Sequence, residues 1–168
     1  MSDPRLRGLA AVTTYLAERG IAFDVVEHPV TNTAVAEARA AGVPADHAAK
    51  NVALIDGHRF VLAVVPASHR LDLNKARGVL GRSASLRLAT ETEISEHAGP
   101  FEVGAVPPLG PLLDALEILD GRLLEHDSIL FSGGDHRHGV LIDPHDLIEI
   151  AQPRIADLCE EGPGRSRR

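Results

Sequence analysis

Val52-Ala53-Leu54-Ile55-Asp56-Gly57-His58-Arg59-Phe60-Val61-Leu62-Ala63-Val64-Val65 reads as two extended runs folded back on each other. Asp56-Gly57 is a favoured two-residue turn between apolar segments rich in β-branched residues. Both runs are nearly continuously apolar, so the reading is a pair of central strands covered on both faces. Working outward, residues 72–80 read as a helix stopped by Gly81 and 85–89 as a strand. Thr90 with Glu93 three residues on is a capping-box signature for a helix over 91–98. Upstream, residues 5–19 place Leu6, Leu9, Thr13 and Leu16 near one helical face, with Gly20 as the stop. Residues 21–26 read as a strand closed by Glu27-His28-Pro29, and 33–41 as a helix with Thr33 as N-cap and Gly42 at its end. Beyond Gly99, Ala115–Leu119 and Leu123-Leu124 flank Asp120-Gly121 as a second expected hairpin. Ile129–Phe131 and Val140–Ile142 are two more strands, and a last helix starts at Asp143-Pro144. Cys159 is expected near the C-terminal end of that helix.

The expected fold class is therefore α/β (α+β): a single compact domain over residues 1–160, with a mixed, mostly antiparallel sheet flanked by helices and a disordered tail over 161–168. The chain has 168 residues, the size of one domain. One cysteine excludes an internal disulfide. No apolar run approaches the ~20 residues of a membrane span, and the N-terminus lacks the basic and apolar regions of a signal peptide. The expectation is a soluble cytoplasmic protein with no membrane partner. With no Trp, one Tyr and four Phe, the core is expected to be aliphatic, and the composition argues against a base-stacking platform.

Charge is unevenly spread. The formal total is −7, yet residues 50–87 hold seven basic and two acidic side chains, while 88–161 hold three basic and sixteen acidic. Such asymmetry can give an acidic protein one surface attractive to phosphate, although neighbours in sequence need not cluster in space.

Three features are left over by packing. Lys50 stands at the mouth of an apolar central strand, where it either presents its ammonium to a cleft or snorkels at an edge. Val103 to Pro111 contains three prolines and two glycines, which makes it either a rigid site of exposed N–H groups or a tight turn. Ser132-Gly133-Gly134 follows a strand, and its glycines suggest a wall that a ligand approaches closely. Next to it, Asp135, His136, His138, Asp143 and His145 are metal-ligating residue types without His-x-x-Glu-His or paired-cysteine spacing, so no metal or other cofactor is expected.

In order, Glu27-His28-Pro29, Lys50-Asn51-Val52-Ala53-Leu54, Val64-Val65-Pro66, Leu71-Asp72-Leu73 with Lys75, Leu80-Gly81, Gly104-Ala105-Val106-Pro107-Pro108, Ser132-Gly133-Gly134 and Asp146-Leu147 resemble the YbaK/ProX family. These are aminoacyl-tRNA deacylases related to the editing domain inserted in bacterial prolyl-tRNA synthetases. The resemblance covers roughly residues 8–158. It implies a free-standing trans-editing hydrolase that cleaves the ester of mischarged aminoacyl-tRNA, with the acceptor end of the tRNA, and a cognate synthetase, as partners. It implies a catalytic set of Lys50, Gly104 and Pro108, the lysine holding the terminal aminoacyl-adenosine and the Gly-x-x-x-Pro backbone holding the ester carbonyl. It implies a substrate-binding set of His28, Asn51, Ala105, Val106, Pro107, Ser132, Gly133 and Gly134. Asn51 resembles the alanine-editing branch and Ser132-Gly133-Gly134 the YbaK-type branch, which leaves alanyl, cysteinyl and seryl esters open. Asp135-His136-Arg137-His138 matches neither. The alternative is a module that binds aminoacyl-tRNA or a nucleotide in the same pocket without turnover.

Overall fold

A computed structural model describes residues 3–161 of the chain. The hairpin that dominates the sequence forms as β2 (Ala49–Asp56) and β3 (Arg59–Pro66), in antiparallel register from Ala49↔Pro66 to Asp56↔Arg59. Its two turn residues are Gly57 and His58, one place later than the Asp56-Gly57 expected. Gly57 takes φ +65°, the left-handed conformation in which a glycine is unstrained. Asp56 stays in the strand because its carboxylate accepts from Ser83 (2.5 Å), Ser85 (2.6 Å) and Arg59 (3.2 Å).

All of β3 after Arg59 is buried. Phe60, Leu62 and Val64 join one apolar cluster, with Leu16, Leu119, Phe131 and Leu147. Val61, Ala63 and Val65 join another, with Leu54, Ala76, Leu86 and Ile118. Alternate side chains point to opposite faces, so a strand covered on both sides must be apolar throughout. Fully burying such a side chain stabilises the fold by roughly 1.5–3 kcal/mol.

Around this pair the sheet order is β4-β2-β3-β5-β8, with β4 (Leu86–Leu88) antiparallel to β2, and β5 (Leu116–Asp120) and β8 (Arg154–Ala156) parallel. The expected single sheet is in fact two. A separate antiparallel sheet, β1-β7-β6, is built from β1 (Phe23–Glu27), β6 (Ile129–Ser132) and β7 (His138–Ile142). The two sheets meet at a parallel bridge between Ala48 and Leu130. β4 pairs with β2 only over Leu54–Asp56, so Ala49–Asn51 carry no β4 ladder on their outer side.

The helices are α1 (Gly8–Glu18), α2 (Ala34–Ala40), α3 (Leu73–Val79), α4 (Glu91–His97) and α5 (Pro144–Ala151). The expected caps form: Thr33 accepts from Ala36 N–H, Thr90 and Glu93 make the capping box, and Asp143 accepts from His145 N–H with Pro144 in the first position.

Asp120-Gly121 does not make a hairpin. Asp120 turns the chain into a 3₁₀ segment, Gly121–Glu125, by accepting from Arg122 N–H, and Leu123 is buried there. Cys159 does not end the last helix either. Helix α5 stops at Ala151 with left-handed Gln152, β8 follows, and Cys159 lies buried opposite Leu71. The expected tail falls almost wholly outside the described residues. Among the described residues, no helix is long and apolar enough to cross a membrane.

Candidate functional site

The open stretch of β2 forms one wall of a cavity of about 240 Å³. Ala49, Lys50 and Asn51 meet Thr31 to Ala34 and Glu37 at the start of α2, Phe131 and Ser132 at the end of β6, and Gly104, Val106, Pro108 and His136 from the loops opposite. Lys50, Asn51, Gly104, Val106, Pro108 and Ser132 thus come together from three separate stretches of chain. Lys50 Nζ donates to the carbonyl of His69 at 2.7 Å. Partial burial lowers its pKa below that of a free lysine, because a desolvated ammonium is costly.

Asn51 has a positioning contact. Its Nδ2 donates to Val106 O at 3.1 Å, which pins the middle of the Gly104–Pro108 loop to β2. Since Val106 O can only accept, the amide orientation follows from the bond. Asn51 Oδ1 is left buried with no partner among the described residues. The loop has N–H groups only at Gly104, Ala105 and Val106, and that of Ala105 already donates to Glu102 O at 2.9 Å. Gly104 adopts φ +86°, and a Cβ there would stand 3.3 Å from His136 Cε1. Beyond the loop, Gly110 N–H donates to Glu117 Oε1 at 2.9 Å. Glu117 is buried on β5 with Oε2 unpartnered, and burial pushes its carboxyl up to about 8.

The floor holds a buried pair. His28 Nδ1 contacts Pro29 O at 2.8 Å and Nε2 contacts Glu37 Oε2 at 3.0 Å. A carbonyl only accepts, so Nδ1 carries a proton, and the contact to Glu37 needs a second proton on either Nε2 or the carboxyl. Burial raises the Glu37 carboxyl, against hydrogen bonds from His28 and Ser132, whose Oγ lies 3.4 Å away. His28 therefore stands behind Glu37 rather than in the cavity wall.

Four other expected contacts also lie outside the wall. Ala105 and Pro107 are buried within the loop. Gly133 and Gly134 face away from the cavity: a Cβ on Gly133 would meet His138 O at 2.9 Å and Leu9 Cδ1 at 3.0 Å, and one on Gly134 would meet Gly8 and Phe101. Their bareness lets the start of α1 pack against the chain rather than a ligand.

Conversely, Glu37, Phe131 and Thr31 to Ala34 line the cavity although nothing in their local pattern, the helix cap at Thr33 included, marks them as site residues. His136 was visible but unassigned. Its Nε2 contacts Val103 O at 2.9 Å, which bonds the histidine-rich segment to the glycine-proline loop. The remaining members of that segment pair off: His138 with Asp135 at 2.9 Å and His145 with Asp143 at 3.1 Å, so they do not converge on one point.

The basic block of residues 50–87 is neutralised in part. Arg59 pairs with Asp56, Arg70 with Glu160, Lys75 with Asp157 and Arg87 with Glu93. Its sequence excess of charge is thus offset in part by acidic residues from the C-terminal half.

Comparison with known proteins places these observations. Residues 28–150 match the family model described as the aminoacyl-tRNA editing domain. A solved structure of a candidate trans-editing enzyme for prolyl tRNA synthetase is 33% identical, with TM-score 0.79 over 89% of this chain and 95% of that one. A scaffold protein from computational epitope grafting is 30% identical, with TM-score 0.80 over 90% and 96%. The hypothetical protein APE2540 is 25% identical, with TM-score 0.80 over 89% and 99%.

Proposed function

The chain belongs to the aminoacyl-tRNA editing domain family, and from that premise we propose that it is a free-standing hydrolase that deacylates mischarged tRNA. One observation carries the reading. Lys50, the Gly104–Pro108 loop and Ser132 line one cavity, although Lys50 and Ser132 stand 82 positions apart.

An aminoacyl ester is already activated, so the site needs to orient it, admit water and stabilise the tetrahedral oxyanion. Lys50 would hold the terminal aminoacyl-adenosine at the mouth. The N–H groups of Gly104 and Val106 would receive the ester carbonyl oxygen as it gains charge. Water adds to that carbonyl, the ribose oxygen leaves with a proton, and free amino acid and tRNA result. Alanyl, cysteinyl and seryl esters are the candidates that the family resemblance of Asn51 and Ser132-Gly133-Gly134 leaves open. The tRNA would contribute its acceptor end, with phosphates fixing position rather than reading sequence. Arg70, adjacent to the His69 carbonyl that holds Lys50, is highly exposed and would exchange its 3.7 Å pair with Glu160 for such a phosphate.

The test is ester hydrolysis on a panel of mischarged tRNAs. Turnover of one or two small amino-acid esters is expected. Lys50→Ala should lower the rate by on the order of 100-fold or more, the scale of losing one charged positioning group, with an unchanged circular dichroism spectrum. Salt-sensitive tRNA binding without ester loss in the wild type would instead establish a binding module.

A further inference from the structure

Asp46 and His47 sit on a short 3₁₀ turn, Ala45–His47, that leads into β2. His126 closes the 3₁₀ segment Gly121–Glu125 on the approach to β6. The join between the two sheets at Ala48 and Leu130 brings these turns together. The imidazoles of His47 and His126 stack with centroids 3.8 Å apart and planes 28° from parallel. Asp46 Oδ1 lies 4.0 Å from His47 Nε2, and one ligand atom from each of the three residues falls within 4.8 Å of the other two.

These histidines differ from the others near the site. His28, His69, His136, His138 and His145 each place a ring nitrogen against a protein oxygen. Among the described residues, neither His47 nor His126 does so. From this juxtaposition we infer that Asp46, His47 and His126 form a binding site for a first-row divalent metal ion, with Zn²⁺ as its natural class. Two imidazoles and one carboxylate are a donor set suited to such ions. Zinc bonds of about 2.0–2.2 Å at tetrahedral angles need ligand atoms roughly 3.3 Å apart. The present spacings, up to 4.8 Å, therefore close by up to about 1.5 Å, and rotamer changes turn the two rings out of their stack so that both nitrogen lone pairs point at the ion. Asp46 and His47 have partly exposed side chains that permit this, at 54% and 40%. The fourth position would take water.

The role follows from position. His47 lies three residues before Lys50 and His126 six before Ser132, so the ion would clip together the strands that carry two walls of the cavity. It acts as a brace and touches no reacting atom. The inference rests on the two turns and stands whether or not the cavity deacylates tRNA.

The experiment is titration of the metal-free full chain with Zn²⁺, and with Co²⁺ read by visible absorption. One equivalent should bind, with Co²⁺ bands typical of nitrogen and oxygen ligands. Zinc at 100 times its Kd should raise the folded-to-unfolded ratio about 100-fold in thermal or urea unfolding. His126→Ala and the exposed-site variant Asp46→Asn should each weaken binding at least about tenfold, since even losing an outer partner of a ligand costs that much. His145→Ala, which removes a separate histidine–aspartate pair, should leave binding intact. No one-equivalent binding up to millimolar zinc overturns the inference, as does binding that neither Asp46→Asn nor His126→Ala weakens.

Discussion

Glu117→Gln is expected to remove a pH dependence of stability that the wild type carries. In the unfolded chain Glu117 titrates as an ordinary glutamate near 4.5, whereas burial in the folded chain pushes it up to about 8. Between those values the folded state keeps a proton that the unfolded state has released. The contribution is therefore fully present below about pH 4.5 and is lost as pH rises towards and through 8. Integrating the difference from pH 5 to pH 8.5 gives a loss of about 3 to 4 kcal/mol. Glutamine keeps the oxygen that accepts from Gly110 N–H and never ionises, so this loss is absent. The carboxylates held low, Asp157 and Glu93 at about 2, weaken the fold only as pH falls below 4, outside this window. Urea unfolding of both proteins at pH 5 and pH 8.5 measures the effect. The wild type should lose about 3 to 4 kcal/mol relative to the variant over that interval. A difference between the two proteins that stays constant within about 0.5 kcal/mol, the spread of ordinary surface substitutions, would refute a carboxyl kept protonated by burial.

Three further outcomes follow from the geometry. Asn51→Ala frees Val106 O and lets the Gly104–Pro108 loop shift, so hydrolysis should fall at least about tenfold while global stability drops by about 1 kcal/mol, the worth of one hydrogen bond; steady-state kinetics and urea unfolding separate the two. Asp120 accepts from Leu158 N–H at 2.7 Å, Arg122 N–H at 2.9 Å and Cys159 Sγ at 3.1 Å while almost fully buried, so Asp120→Ala, which leaves the Leu158 N–H without a partner, should cost about 1–3 kcal/mol, seen as a lowered urea midpoint. Cys159 is fully buried and its thiol is pushed up to about 12 by burial and then by Asp120, so native protein at pH 8 should react with a thiol reagent only at the rate of unfolding, and fast labelling would contradict that packing.

The sequence by itself determined the elements whose cause is local. The unbroken apolar run along β3 needed cover on both faces, and Thr33, Thr90 with Glu93, and Asp143-Pro144 announced helix starts through hydrogen bonds made within three residues. The order and spacing of the motifs carried the family resemblance, which marked Lys50, Gly104, Pro108 and Ser132 as candidates, and the fold sets these four on one cavity. What local pattern misread was decided by partners far away. Asp120-Gly121 looks like a hairpin turn, but β5 is flanked by β3 and β8 in parallel, and Asp120 spends its carboxylate on Arg122 and Leu158. Gly133 and Gly134 look like a ligand wall, but their open space is taken by Gly8 and Leu9 from α1, over a hundred residues away. Glu37 gains its meaning only when folding removes it from water beside His28, and the basic block loses much of its field to Asp157, Glu160 and Glu93. Burial and long-range charge pairing exist only once the two sheets meet, so only the tertiary structure could decide them.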